Sequence, residues 1–170
     1  MRKLFCWILI IAMLLSSGLI MLFSSPLPVT GSTEELYADD EDYTGFVGRL
    51  HVPDAGIDVA LYRGADQSIT DRADSANIFA LQGYPGEIIA DHYNQEFAGL
   101  FAAEVGMHGC IHLRDGDVIY IECVDVFNGH NTGYDLTDEA GVSVIGREDY
   151  AMYTCRNGWR NVLICLWDTI

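Results

Sequence analysis

The chain has 170 residues, half of them apolar, and a formal net charge of −16 that comes from 25 acidic and nine basic residues. The apolar half supports a packed core and excludes wholesale disorder, and the lack of a basic stripe argues against a nucleic-acid partner. Seventeen glycines against four prolines are more typical of a turn-rich β protein than of a helical bundle.

The N-terminal segment 4–23 is apolar and carries no charge. As a helix it would rise ~30 Å, which matches a bilayer core, so it predicts one transmembrane helix. Arg2 and Lys3 precede it in a short n-region, 1–3, and all the acidic residues follow it. This asymmetry predicts a single-pass protein of the cell membrane with a cytoplasmic N-terminus and an extracellular remainder. A cleaved signal peptide is the alternative, although cleavage after the small residues 16–18 would leave an apolar stub.

Residues 24–44 contain two prolines, several small residues and the acidic run 39–42. This composition predicts an acidic, flexible tether exposed to solvent. The folded domain is expected to span 45–170, which is long enough for one core.

Short apolar runs separated by glycine-rich turns predict a mainly β domain, either a small closed barrel or a sandwich. Between the strands, Phe97, Leu100 and Phe101 recur at helical spacing and predict a turn or two of helix at 96–104. Ile119, Ile121, Cys123 and Phe127 are expected on one face of the clearest strand. The predicted strands cover 46–52, 57–62, 87–90, 118–127, 149–156 and 159–167.

The dipeptide Asn157-Gly158 lies between the last two predicted strands and is a strong signal for a two-residue hairpin turn. Such a turn would place Arg156 opposite Trp159 and Cys155 opposite Arg160. Directly opposed residues have Cβ atoms ~4.5–5.5 Å apart. A guanidinium at that distance favours a thiolate and can donate hydrogen bonds to an oxyanion.

A cysteine nucleophile also needs a proton partner, and His92 is the best placed of the five histidines. It ends an apolar run and opens a polar segment, and strand ends are where catalytic groups tend to be presented. The alternative for Cys155 is a small buried hydrophobic residue at a strand end.

Four cysteines follow the apolar segment: Cys110, Cys123, Cys155 and Cys165. Their spacing is not that of a dense disulfide scaffold, so free thiols and disulfides both stay open. His108, Cys110 and His112 could share one strand face as metal ligands. Three ligands along one flat strand converge poorly on a tetrahedral ion, so no metal site is predicted.

Four short motifs follow one another along the domain. They are GRLHVP at 48–53 followed by GIDV at 56–59, ADH at 90–92, DGDVIY at 115–120, and YTC at 153–155. In this order they resemble the motifs of the sortase family, the cysteine transpeptidases of Gram-positive cell surfaces, and the match extends over 45–167. The spacing between His92 and Cys155 leaves no room for the long helical insertion typical of class B, and the subclass is unassigned.

The resemblance implies a sortase-like closed β-barrel with short helices, in which Cys155, His92 and Arg160 share one groove. Cys155 would cleave an LPxTG-like sorting signal through a thioacyl intermediate, His92 would transfer protons, and Arg160 would hold the substrate carbonyl. The gap between Cys155 and Arg160 is shorter than is usual in the family. No cofactor and no metal are implied.

The implied partners are surface proteins that carry a C-terminal sorting signal, and an amine acceptor such as a peptidoglycan precursor or a pilin, or water. Residues 27–31 read LPVTG and match the sorting pattern themselves. Chance occurrence in a linker and self-recognition both stay open for this string. The alternative function is a non-catalytic, membrane-tethered β-barrel that binds peptides or surface proteins.

Overall fold

The computed structural model describes residues 45–156 and 158–170. The predicted n-region, transmembrane helix, tether and LPVTG string lie outside the described residues. Within the described part, no helix is long and apolar enough to span a membrane.

Nine β-strands make up about half of the described residues, and three very short helices lie between them. The helices are α1 (Gln67–Thr70) and two 3₁₀ helices, Pro53–Ala55 and Glu96–Ala102, the second at the predicted helical turn. The strands are β1 (Phe46–Val52), β2 (Ile57–Arg63), β3 (Ser75–Phe79), β4 (Glu87–Asp91), β5 (His108–Leu113), β6 (Val118–Asn131), β7 (Leu136–Asp138), β8 (Tyr150–Cys155) and β9 (Asn161–Thr169).

Eight of these strands form a closed ring in the order β5-β1-β2-β3-β4-β8-β9-β6, and the pairing of β5 with β6 closes it. Strand β7 lies outside the ring, pairs with the last residues of β6 and forms one further bridge, between Thr137 and Ser143. The prediction of a mainly β, closed barrel with short helices is therefore confirmed, and the sandwich is excluded. Two of the strand pairs, β2–β3 and β4–β8, are parallel.

The barrel interior holds the main core, which explains why the apolar residues of β1 alternate with half-exposed ones. Trp167, Phe97 and Leu50 are fully buried there. Burial of each such side chain contributes about 1.5–3 kcal/mol. A smaller cluster on the outer wall includes Ile88 and Ile164 and is covered by the segment around Val144 and Ile145.

The position predicted for Phe127 in β6 is wrong, because this strand contains a bulge. Ile119, Ile121 and Cys123 pack with the barrel core, as expected, but Phe127 packs with the outer cluster. The pairing of β6 with β9 shifts register between Cys123 and Asp125. An extra residue in one strand reverses the side-chain alternation beyond it, and this moves Phe127 to the outer face.

The register of β8 and β9 also differs from the prediction. Cys155 pairs with Val162 rather than Arg160, and the backbone N–H of Arg156 donates to the carbonyl of Asn161 at 2.8 Å. The connection therefore spans residues 157–160. The reason lies in β6, which pairs with β9 as far as Asn161 and donates from the backbone N–H of Asn131 to the carbonyl of Arg160. This long ladder, and not the turn, determines where β9 begins.

Candidate active site

The parallel pair β4–β8 brings His92 and Cys155 to neighbouring positions. Its register runs from Glu87 beside Tyr150 to Asp91 beside Thr154. The next residues on the two chains are His92 and Cys155. Adjacent strands lie about 4.8 Å apart, so the two side chains start from neighbouring backbone sites.

A buried hydrogen bond fixes this junction between the two strands. The hydroxyl of Thr154 donates to the carbonyl oxygen of Asp91 at 2.9 Å, and Thr154 is fully buried. The bond lies one residue before His92 on β4 and one before Cys155 on β8. It therefore fixes the distance between the backbone positions of the two candidate catalytic residues.

His92 and Cys155 line one cavity of about 250 Å³ at this end of the barrel. Ten other residues complete the lining, and they come from β3, β4, β6, β8, α1 and the connections around them. They are Ala65, Gln67, Thr70, Asn77, Phe79, Ala90, Asp91, Asn131, Tyr153 and Trp159. The structure thus brings together two of the three predicted site residues, whose catalytic roles stay predictions.

The thiol of Cys155 is half-buried, and this burial raises its pKa above the ordinary value for cysteine. Desolvation disfavours the thiolate because the charged form loses its hydration. The free site therefore holds mainly a protonated thiol at neutral pH. A base close to the sulfur has to remove that proton before the sulfur can attack a carbonyl.

The imidazole of His92 is bound by two side chains from the α1 segment. Its Nε2 atom lies 3.0 Å from Oδ1 of Asp71 and 3.0 Å from Nε2 of Gln67. Sequence reasoning missed both residues, because four helical residues are too few to produce a periodic apolar pattern. Their only signal was a polar run between two predicted strands.

Asp91 lies directly before His92 and is almost completely buried, at 5% exposure. Neither carboxylate oxygen has a hydrogen-bond partner within the described residues. Burial raises the pKa of Asp91 to about 6, and the nearby backbone N–H of His92 opposes this shift only in part. A carboxyl group that titrates at about pH 6 is therefore part of the cavity lining.

Arg160 does not face Cys155 across the two strands, because it belongs to the connection 157–160. Its guanidinium carbon lies 4.9 Å from the centre of the Trp159 ring, and Trp159 lines the cavity. Arg156, one residue after Cys155, hydrogen-bonds Oδ1 of Asn128 and lies over the ring of Phe101. The structure thus places Arg160 beside a wall residue of the cavity and outside its lining.

A second, more apolar cavity of about 460 Å³ adjoins the first. The two share Ala65, Phe79, Asn131 and Tyr153 as lining residues. The apolar part of the second lining comes from the outer-wall cluster and includes Leu81, Ile88, Leu136 and Ile145. Because they share lining residues, we describe the two cavities as one groove. One part of the groove contains His92 and Cys155, and the other part is mostly apolar.

The remaining cysteines lie away from this groove, and the four cysteines of the described residues are free thiols. Cys123 and Cys165 are buried in the barrel core. Cys110 lies 3.3 Å from Nε2 of His112. In residues 45–156 and 158–170, no three His, Cys, Asp or Glu side chains are arranged to hold a metal ion.

This chain is similar to known proteins in its three-dimensional structure, whereas comparison of its sequence finds no match. No family model matches the sequence, and no curated protein matches it. Among solved structures, sortase C1 from Streptococcus agalactiae is similar with a TM-score of 0.59 and 18% identity, over 82% of this chain and 76% of that chain.

Sortases with other class letters are similar to the same degree. A lid mutant of sortase A from Corynebacterium diphtheriae has a TM-score of 0.58 and 13% identity, over 81% of this chain and 76% of that one. A sortase D5 transpeptidase from Clostridium perfringens has a TM-score of 0.56 and 17% identity, over 83% and 90%. These similarities do not separate the subclasses, and at such identities they establish the architecture of the chain. The chain therefore has the fold of the sortase family.

Proposed function

We propose that this protein is a membrane-anchored sortase, a cysteine transpeptidase that cleaves an LPxTG-like sorting signal and transfers the product to an amine or to water. The observation that carries the proposal is the shared cavity of His92 and Cys155 at the end of two parallel strands. The sortase fold supports it. The uncharged segment 4–23 supports a membrane anchor with the barrel outside the cell.

The chemistry begins with a proton transfer from the thiol of Cys155 to His92. The sulfur then attacks the carbonyl carbon of the scissile peptide bond, and the amide bond breaks to leave a thioester. His92 returns its proton to the departing amine. In the second half, an incoming amine loses a proton to His92 and attacks the thioester carbonyl. A new amide bond forms, the carbon–sulfur bond breaks, and His92 returns the proton to the sulfur of Cys155.

The groove supplies the remaining requirements of this reaction. The apolar cavity beside the reactive one can accept an apolar side chain of the sorting signal. Arg160 would bind the substrate carbonyl and stabilise its developing negative charge from the rim formed by Trp159. The partners would be surface proteins with a C-terminal sorting signal, and an acceptor amine on a peptidoglycan precursor or a pilin.

The test is to trap the thioacyl adduct. The full-length chain in mild detergent is incubated with an LPVTG-containing peptide and analysed by intact-mass spectrometry. We expect an adduct on the wild type, none on Cys155→Ala, and wild-type yield on Cys110→Ala, which removes a thiol outside the groove. Arg160→Ala is expected to lower the yield more than Arg156→Ala. Peptide binding without adduct or cleavage would support the non-catalytic, peptide-binding alternative.

A further inference from the structure

The Nε2 atom of His92 contacts the side chains of both Gln67 and Asp71, and these two side chains also contact each other. Oδ1 of Asp71 is 3.0 Å from Nε2 of His92 and 2.8 Å from the amide nitrogen of Gln67. The amide nitrogen of Gln67 is itself 3.0 Å from Nε2 of His92. Three groups at these distances restrict where the protons can be.

The chemistry of the three groups determines which ring nitrogen carries the proton. The amide nitrogen of Gln67 can only donate, and its shorter contact, at 2.8 Å, is with the carboxylate of Asp71 and not with Nε2 of His92 at 3.0 Å. Side-chain hydrogen bonds from Gln67 and from His92 lower the pKa of Asp71, so it is a carboxylate at neutral pH and can only accept. A hydrogen bond between this carboxylate and Nε2 therefore requires a proton on Nε2. In the neutral ring, Nδ1 is then the unprotonated nitrogen.

The segment that supplies Asp71 and Gln67 is tied to the rest of the molecule on several sides. Asp66 caps α1 by accepting from the backbone N–H of Ser68 at 2.9 Å, and its carbonyl accepts from the side chain of Asn77 on β3. The carbonyl of Thr70 accepts from the side chain of Gln95, three residues after His92, at 3.0 Å. These bonds hold α1 against the segment that carries His92.

We propose that Asp71 is a positioning residue that keeps the proton of His92 on Nε2 and leaves Nδ1 to exchange protons with Cys155 and the substrate nitrogen. The role in catalysis rests on the proposed function, whereas the protonation pattern of the ring does not. Asp71 does not line the cavity, so it acts through His92 and not on the substrate.

The direct test reads the tautomer of His92 by two-bond ¹H–¹⁵N NMR of the histidine rings in the full-length chain, with His92→Gln used to assign the signals. Asp71→Asn replaces an obligate acceptor by an amide that can donate, so Asn and Gln67 can both donate to an unprotonated Nε2. An Asp-to-Asn exchange beside a catalytic histidine is known to produce the wrong tautomer. We expect the Nδ1-protonated form of His92 to increase clearly in this variant.

Two control variants separate this effect from loss of charge or of local packing. Asp74→Asn removes the same charge from the same connection, and no hydrogen bond joins the Asp74 side chain to His92 in the described residues. Gln67→Ala keeps the carboxylate of Asp71. Both are expected to retain the wild-type tautomer. An Asp71→Asn spectrum with unchanged His92 signals would overturn the proposal.

Kinetics of peptide cleavage provide the second readout. Because the side chain of Asp71 is 61% exposed, solvent weakens the pair, and we expect kcat to fall only about threefold to tenfold in Asp71→Asn. KM is expected to stay within about twofold of the wild-type value. A rise in KM with unchanged kcat would contradict a positioning role.

The two measurements also distinguish this inference from the proposed function. A tautomer change in Asp71→Asn in a chain that forms no thioacyl adduct would uphold the contact between Asp71 and His92 and refute the sortase activity. An active wild type whose His92 tautomer and kcat do not respond to Asp71→Asn would uphold the activity and refute the role of Asp71.

Discussion

Among the residues that the structure describes, Asp91 is the acidic residue that is buried from solvent. Its carboxylate is buried, and it has no hydrogen-bond partner in the described part of the chain. Burial of an ionised group without compensation costs free energy. Because the folded-state pKa is raised to about 6 from 3.8, the folded protein binds more protons than the unfolded chain between these two pH values. Stability therefore falls as pH rises through this window, and the penalty is complete above it.

We predict that Asp91→Asn stabilises the protein at pH 7 by about 3 kcal/mol, since a shift in pKa from 3.8 to about 6 corresponds to about 1.4 kcal/mol per unit. The variant removes the charge and keeps the shape of the side chain. Urea unfolding at pH 4 and at pH 7 measures the effect. The gain is expected to shrink towards pH 4, where the wild-type carboxyl is protonated in the folded state. Equal gains at both pH values would refute the assignment of the penalty to the buried charge.

At the scale of single residues, local sequence patterns single out His92 and Cys155, which line one cavity in the structure, and give no signal for their neighbours. A histidine at the end of an apolar run and a cysteine before a turn are local patterns. The contacts of Asp71 and Gln67 with His92 join residues more than twenty positions apart. Nothing in a local pattern encodes such contacts, so they appear only once the chain is folded.

Among the secondary-structure elements, the parallel pair β4–β8 matters most for the site. The hydroxyl of Thr154 links the two strands at the residue before each candidate catalytic group. We predict that Thr154→Val, which has nearly the same shape, destabilises the protein by about 1–2 kcal/mol because a buried hydrogen bond is lost. We also predict a lower kcat for peptide cleavage, because the spacing of His92 and Cys155 is less well fixed.

Thr154→Ser is the matched control, since it keeps the hydroxyl and removes only a methyl group. Urea unfolding and steady-state kinetics on the two variants separate the hydrogen bond from packing. If the valine variant is as stable and as active as the serine variant, the interstrand bond has no role in the site.

The errors of sequence-based prediction at this scale have two physical causes. The Asn157-Gly158 pattern predicted a two-residue turn, but the ladder between β6 and β9 holds Arg160 and Asn161 and lengthens the connection. The alternation in β6 predicted Phe127 in the barrel interior, but a bulge near Cys123 reverses it. In both cases tertiary pairing prevailed over a local preference.

For the whole molecule, composition predicts a constraint on reactivity. Residues 45–170 contain no lysine, and Lys3 is the one lysine of the chain. If Cys155 forms a thioester, the folded domain offers no ε-amine to it. We predict that incubation with sorting peptide and no added amine yields hydrolysis but no peptide joined to a side chain within 45–170. Peptide mapping by tandem mass spectrometry checks this.

The matching positive control is Val105→Lys, which adds an amine at a site that is 65% exposed and outside both cavities. This variant is expected to become a substrate for intermolecular conjugation at position 105. Conjugates at other side chains of the wild-type domain would show that the acceptor is not restricted to amines.

For the whole barrel, the sequence predicts the mainly β fold class but not which strands pair with one another. Alternating apolar runs and glycine-rich turns predict strands, and they leave a barrel and a sandwich equally open. The choice between them depends on the pairing of β5 with β6, which closes the ring, and on two parallel pairs between strands that are not hairpins. These are long-range pairings, and a single sequence does not specify them.

Closure of the ring also affects how copies of the protein meet one another. Each of the eight ring strands has a neighbour on both sides, and β7, with three residues, is the short strand left at an end of the sheet. Open strand edges are the templates on which chains add to one another and aggregate. The described domain offers little such template, so strand-to-strand aggregation should require prior opening of the barrel. Where many copies are concentrated side by side, this closure would keep the folded domains from adhering through their sheets.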